Sequence, residues 1–150
     1  NIVLIGPVVK IDSATLPTQP NIHYMGQKSY QELPSFLSGW DVALIPFKLN
    51  ESTRFISPTK TPEYLAAGVP VVSTPIRDVI NPYGLQGLVQ VAGSNEEFLA
   101  GIETALENQN SSTWLTKVDA FLADKSWDDT YKQMKNKITQ VLSQDKRLAS

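Results

Sequence analysis

Cysteine is absent from this 150-residue chain, and histidine occurs once, at His23. The first absence excludes a disulfide framework and a thiolate metal site. The second excludes a metal site built from several histidines. No apolar run approaches the roughly 20 residues that a membrane-spanning helix needs. The opening residues Asn1 to Ile5 are too short for a signal peptide and have no basic region ahead of them. No long basic run occurs and the formal net charge is -2, so nucleic acid is not an expected partner. Charged residues amount to 19% and hydrophobic residues to 41%, a balance that supports a packed core and argues against disorder. The length fits one domain. The chain has no initiating methionine and opens on a core element, as expected of a fragment. Residues 1–150 are therefore read as a single domain, with 126–150 its terminal helix and tail.

What is present alternates between strand and helix patterns. Ile2 to Ile5 is a short β-branched run closed by Gly6 and Pro7, the pattern of a buried parallel strand. Asn21 to Gly26, Asp41 to Phe47, Val69 to Ser73 and Leu88 to Val91 read as four more strands. Ser29 and Glu32 have the spacing of a capping box, ahead of Leu33, Phe36 and Leu37 on one helix face. A helix is predicted over Thr61 to Ala67, with Gly68 at its C-terminal cap. Ser94 opens another, with Glu96 and Glu97 in its first turn and Phe98, Ile102 and Leu106 as its apolar stripe. Helices over Ser112 to Leu122 and Trp127 to Leu142 follow. This order predicts an α/β fold with a Rossmann-like parallel sheet flanked by helices. Ligands in such sheets sit beyond the carboxyl ends of the strands.

The informative stretch runs from Arg54 to Thr74, and within it stands Ser57-Pro58-Thr59-Lys60-Thr61-Pro62-Glu63-Tyr64-Leu65-Ala66-Ala67-Gly68. Proline suits the first helical position, so Ser57-Pro58 and Thr61-Pro62 are each expected to start a helical turn whose free N–H groups favour an anion. Lys60 adds a positive charge. Glu63 has acceptor sites for both hydroxyls of a vicinal diol. Ala66, Ala67 and Gly68 are expected to keep this helix slim enough to pack closely on the sheet.

This stretch resembles the donor-site signature of group 1, family 4-like glycosyltransferases with the GT-B fold. Asp41 to Phe47 is similar to the family's "DV-x-L-x-PF" strand, Asn21 to Gly26 to its "N-I-x-x-x-G" strand, and Ser126-Trp127 to the pair that opens its last helix. The resemblance implies that the chain is the C-terminal, nucleotide-sugar-binding half of such an enzyme. The implied reaction transfers a sugar from a nucleoside-diphosphate sugar to an acceptor, with retention, without a bound metal or other cofactor and with no protein nucleophile. Glu63 would accept hydrogen bonds from the donor ribose. Lys60, Ser57, Pro58 and Thr59 would border the phosphates and sugar, and Gly6, Gly26 and Gln27 would bring the backbone close to the nucleotide. Many members carry a second glutamate eight residues before the first; here that position is Phe55, as in the branch with the same S-P-x-K-x-x-E-Y-L-A-A-G pattern.

The family's basic pair and its acceptor-binding domain precede the region matched here, so the missing N-terminal acceptor domain of the same chain is an implied partner. Residues 1–150 alone are expected to bind nucleotide weakly and to transfer nothing. The implied product is a cell-surface polysaccharide and the implied location cytoplasmic, at the inner membrane face where the acceptor domain associates peripherally. Two alternatives are a flavodoxin-like regulatory module, which would need an acidic cluster at the strand ends, and half of a nucleotide-sugar epimerase, which would need a cleft histidine besides acids. Other residues have plain readings. His23 is structural, Arg54 is a solvated loop arginine, and Arg77-Asp78 is an internal ion pair. Tyr30 is a helix-surface residue as readily as a neighbour of the base. Trp114, Trp127 and Tyr131, at helical spacing, are expected in the core.

Overall fold

The computed structural model describes residues 1–148. Two compact units divide the chain, Asn1–Trp40 and Asp41–Ser150.

In the first unit, β1 (Ile2–Leu4) pairs in parallel with β2 (Ile22–Tyr24), with Val3 opposite His23. The segment between them contains a tight helical turn, Ser13–Thr15, in which the Asp12 carboxylate accepts the Ala14 N–H at 2.9 Å. His23 Nε2 lies 3.2 Å from Asn1 Oδ1, a strand-edge contact in keeping with a structural role. Helix α1 (Leu33–Leu37) is short, and half of its expected capping box forms. The Ser29 N–H and hydroxyl both donate to the Glu32 carboxylate, at 2.9 and 2.7 Å, which holds its pKa below the usual range. Ser29 does not cap the first turn in return, because Glu32 is itself helical in conformation and the helix starts one residue later.

The second unit carries the core. Strands β3 (Ala43–Ile45), β4 (Val71–Ser73) and β5 (Val89–Val91) form a parallel sheet in the order 3-4-5. Ala43 stands opposite Val71, and Val71 opposite Val89. Adjacent strand residues face opposite sides of a sheet. Val71, Val72 and Ser73 are all buried, so β4 is covered on both faces. This is why Val71 and Val72 stand side by side instead of alternating with polar residues, while the buried Ser73 hydroxyl donates to the Thr74 carbonyl at 2.8 Å. Each strand is shorter than the run that predicted it, and Pro70 lies just ahead of β4, where its missing N–H interrupts no ladder bond. The α/β class with parallel sheets and flanking helices is as the sequence predicts.

Parallel neighbours need crossover connections. Helix α2 (Lys60–Ala66) joins β3 to β4 and packs against β4 and a later helix, α5 (Ser112–Leu122). Its end is a Schellman motif: the Gly68 N–H donates to the Leu65 carbonyl at 2.9 Å and the Val69 N–H to the Tyr64 carbonyl at 3.0 Å. Gly68 closes it with φ +72°, a left-handed value that costs a residue with a Cβ atom more than glycine. The buried residues of α2 are Thr61 and Leu65, while Ala66 and Ala67 face solvent. The expectation that the small residues let the helix pack on the sheet is thus corrected for Ala66 and Ala67: one and two residues on from Leu65, they lie off its buried face.

The connection from β4 to β5 holds a helical segment that the sequence pattern does not reveal. Helix α3 (Arg77–Val79) runs into a wider turn, Ile80–Gly84, with an extended residue at Asn81 and a cis Asn81-Pro82 bond. Proline and glycine inside it hide the helical period.

Helix α4 (Asn95–Asn108) opens as predicted. Ser94 Oγ accepts the Glu97 N–H at 3.2 Å, and the Glu97 carboxylate accepts the Gly93 N–H at 2.7 Å. It packs on β4 and β5 through Gly101 and Ala105. A Cβ added at Gly101 would stand 3.2 Å from Val72 Cγ1, so close approach to the sheet selects glycine there. The expected stripe of Phe98, Ile102 and Leu106 flanks this contact, with Leu106 exposed.

Helix α5 buries Trp114 and Val118. In α6 (Trp127–Leu148), Ser126 Oγ accepts the Asp129 N–H at 3.0 Å and donates to the Asp129 carboxylate at 2.6 Å. The expected core placement holds for Trp114 and fails for Trp127 and Tyr131, which are 79% and 64% exposed. Their helical spacing is real, but the apolar stripe that continues through Met134 and Ile138 is solvent-exposed.

Candidate functional site

Both units offer the carboxyl ends of their parallel strands. In the first unit, the two expected glycines are joined directly: the Gly6 N–H donates to the Gly26 carbonyl at 2.9 Å, one step beyond the β1–β2 ladder. Both have positive φ, 138° and 65°, and a Cβ on either would meet nothing within 4 Å. Backbone geometry therefore selects glycine here, and it leaves the space above both α-carbons open. Gln27 follows, exposed.

In the second unit, the remaining expected residues lie in the connection from β3 to α2 and on the first turn of α2. The polar loop after β3 is ordered by Asn50 and Thr53. The Asn50 N–H donates to Thr53 Oγ1 at 2.9 Å, the Thr53 N–H returns to Asn50 Oδ1 at 3.0 Å, and the Thr53 hydroxyl donates to the Lys48 carbonyl at 2.7 Å. Such reciprocal side-chain bonds hold a turn without help from a sheet.

Ser57 and Thr59 are exposed and Pro58 half-buried. The helix begins once, at Lys60, so Ser57-Pro58 and Thr61-Pro62 do not each start a turn. Pro62 occupies the third helical position, the Thr61 N–H is taken by the Pro58 carbonyl at 3.2 Å, and Thr59 makes no side-chain cap. The donors that the doubled Ser/Thr-Pro pattern suggests are partly used by the backbone itself.

Lys60 and Glu63 are both exposed on this turn. Among the described residues, neither forms an ion pair. Tyr64, next along, is half-buried, and burial together with the Glu63 charge pushes its phenol above the usual range.

Beside this segment lies a group that the spacing of the sequence does not bring together. The Arg77 Nε donates to Asp78 Oδ1 at 2.8 Å, as the plain reading of that pair predicts. This bond, with a smaller contribution from the Ser57 hydroxyl, holds the Asp78 carboxyl below its usual range. The Arg77 guanidinium also lies 5.9 Å from the Phe55 ring centroid, and that of Arg54 lies 5.3 Å from the same ring. Cation–π contact at these distances is favourable. Arg54 is an exposed loop arginine, as expected, whose guanidinium lies over the neighbouring Phe55 ring. Residues 54 and 77 flank β4 and α2 in sequence, so no local pattern could have paired them; the aromatic residue standing where many relatives carry a glutamate was the one available signal.

The profile of the glycosyl transferases group 1 family matches residues 1–108, and the chain belongs to that family. The matched range contains the whole Arg54–Thr74 stretch and ends where α4 ends. The chain is similar to a protein of Bacillus subtilis (strain 168) described as "Putative teichuronic acid biosynthesis glycosyltransferase TuaH", with 27% identity over 116 residues. That match covers 77% of this chain and 29% of the relative, so the chain spans less than a third of the relative's length. No solved structure matches it. Among the described residues no helix is long and apolar enough to cross a membrane.

Proposed function

We propose that this chain is the donor-binding part of a retaining, metal-independent glycosyltransferase that takes its sugar from a nucleoside diphosphate. One observation carries the proposal: in a chain of this family, Glu63 and Lys60 stand exposed on one helical turn after β3, with no ion pair among the described residues. A carboxylate there offers acceptors to both hydroxyls of a ribose. An ammonium three residues earlier, on the same face, offers a charge to the phosphates. Ser57, Pro58 and Thr59 border the same turn. Within the first unit by itself, Gly6, Gly26 and Gln27 are proposed as nucleotide-binding residues at the carboxyl ends of β1 and β2.

No step in this reading requires a protein nucleophile. Catalysis rests on stabilising the departing diphosphate with fixed positive charge, and on excluding water in a cleft completed by an acceptor domain outside residues 1–150. We extend the proposal to cell-surface polysaccharide synthesis, which the teichuronic acid description of the relative supports, and to a place at the cytoplasmic face of the membrane. Of the alternatives, a receiver-like module would need converging acids; among the described residues no three acidic or histidine side chains converge.

The test is a titration of the chain with UDP, GDP and ADP, followed by amide chemical shifts, alongside Glu63→Ala. Shifts clustered on residues 57–63 for one base, and lost in the variant, are the expected result. If all three nucleotides leave residues 57–63 unmoved both here and in a longer chain that includes the acceptor domain, the reading is wrong.

A further inference from the structure

Past the carboxyl ends of β3 and β4, an open cleft of about 440 Å³ lies between the loop that follows β3 and the start of α3. Its size falls within the range of small-molecule sites. Leu49, Ile76 and Ile80 give it an apolar face, and Arg54, Arg77 and Glu51 give it charge. None of residues 57–63 lines it. A nucleotide held by Glu63 and Lys60 therefore leaves this space to whatever the nucleotide carries.

We propose that this cleft is the donor-sugar subsite and that it selects a sugar bearing a carboxylate, which Arg54 and Arg77 grip together. The proposal rests on the donor-binding reading for its place in the reaction, and on the cleft for its chemistry. Two guanidinium groups are held against one aromatic ring, at 5.3 and 5.9 Å from its centroid. Asp78 engages Arg77 through Nε alone. Among the described residues, Arg54 has no carboxylate within ion-pair distance. Although Glu51 also lines the cleft, the planar fork of Arg54 is left without a direct carboxylate partner, and that fork suits a carboxylate.

Glu51 decides between the anions that such a fork could take. A diphosphate bears more negative charge than a carboxylate and would meet Glu51 in the same cleft, with repulsion. A carboxylated pyranose brings one negative charge for the arginines and hydroxyl donors that Glu51 and Asn50 can accept. Its C–H face suits Leu49, Ile76 and Ile80.

The test titrates the chain with sodium glucuronate, glucose and inorganic pyrophosphate, and follows the arginine Nε–H resonances. Glucuronate at millimolar concentration is expected to move Arg54 and Arg77 where glucose does not, and Arg54→Gln is expected to abolish the response. Arg54 is exposed, so this variant keeps the fold; Arg77→Lys, which retains charge without the fork, is expected to weaken the response at least threefold. With nucleotides attached, UDP-glucuronate should bind at least tenfold more tightly than UDP-glucose, and Arg54→Gln should erase that ratio while leaving UDP itself unchanged. Equal responses to glucuronate and glucose overturn the proposal. So does a stronger response to pyrophosphate, which would assign the arginines to the phosphates. Because the free sugars are read on Arg54 and Arg77 and UDP on residues 57–63, failure of the subsite and failure of the nucleotide site are separate results.

Discussion

Gln109 Nε2 donates to Asp41 Oδ1 at 2.6 Å, across a sequence separation of 68. Asp41 stands two residues before β3, and Gln109 is the residue that follows α4. The bond ties the last turn of a helix that packs on β4 and β5 to the entrance of the neighbouring strand. A hydrogen bond to a charged group is worth about 1.5–3 kcal/mol when sheltered and less when exposed. Asp41→Ala and Gln109→Ala are each expected to cost about 1 kcal/mol, below that range because the bond is exposed, and the double variant little more than either alone. Urea unfolding of all three variants checks this; fully additive losses would show that the two side chains act independently.

The Thr61 hydroxyl is buried on the first turn of α2, and no hydrogen-bond partner for it occurs among the described residues. A buried unsatisfied group costs roughly 1–3 kcal/mol. Thr61→Val removes the hydroxyl and keeps the branched shape. Its expected effect is a gain of about 1 kcal/mol, seen as a rise in the melting temperature. A loss of stability would mean that the hydroxyl is satisfied in solution.

Gly68 ends α2 with φ +72°, and a Cβ there would lie 3.4 Å from Leu115 Cδ2. Left-handed backbone costs a residue with a Cβ roughly 1–2 kcal/mol. Gly68→Ala should lose about that much, whereas Ala67→Gly, at an exposed position with helical φ, should lose less than 1 kcal/mol, or about the propensity difference alone. Thermal unfolding ranks the two.

Acid should loosen the start of α6. The Ser126 hydroxyl and, more weakly, Lys132 lower the pKa of Asp129 below its usual value. A carboxylate with a depressed folded-state pKa contributes stability above its unfolded value of about 4, and that stability is lost as pH falls through the folded value. Amide exchange of residues 127–131 should therefore quicken between about pH 4 and the lower folded value. The same step should be reduced in Ser126→Ala. An identical acid response in the variant would show that the Ser126–Asp129 cap has no part in it.

The sequence by itself determined the class of the fold and the address of the candidate site. Short apolar runs separated by helical patterns favour a parallel arrangement with crossovers; β4 is buried on both faces, whereas β1, read as a buried strand, is exposed at Ile2, Val3 and Leu4. Ser94, Gly68 and Ser126 mark helix ends because caps are local chemistry, decided within about four residues. Glu63 and Lys60 were legible for the same reason: three residues on one helix put both on one face.

Tertiary structure decided what local pattern cannot carry. Helical spacing gave Trp114, Trp127 and Tyr131 the same expectation, but only Trp114 is buried. Periodicity records that a stripe exists, while burial depends on what packs against it. The contact face of α4 fell to Gly101 and Ala105, because close approach to Val72 outweighs the bulk of Phe98 and Leu106. The convergence of Arg54 and Arg77 on Phe55 depends on the strand order 3-4-5, which brings together the ends of β3 and β4. Pairings across 20 or more residues are set by how strands associate, and no period in the sequence encodes them.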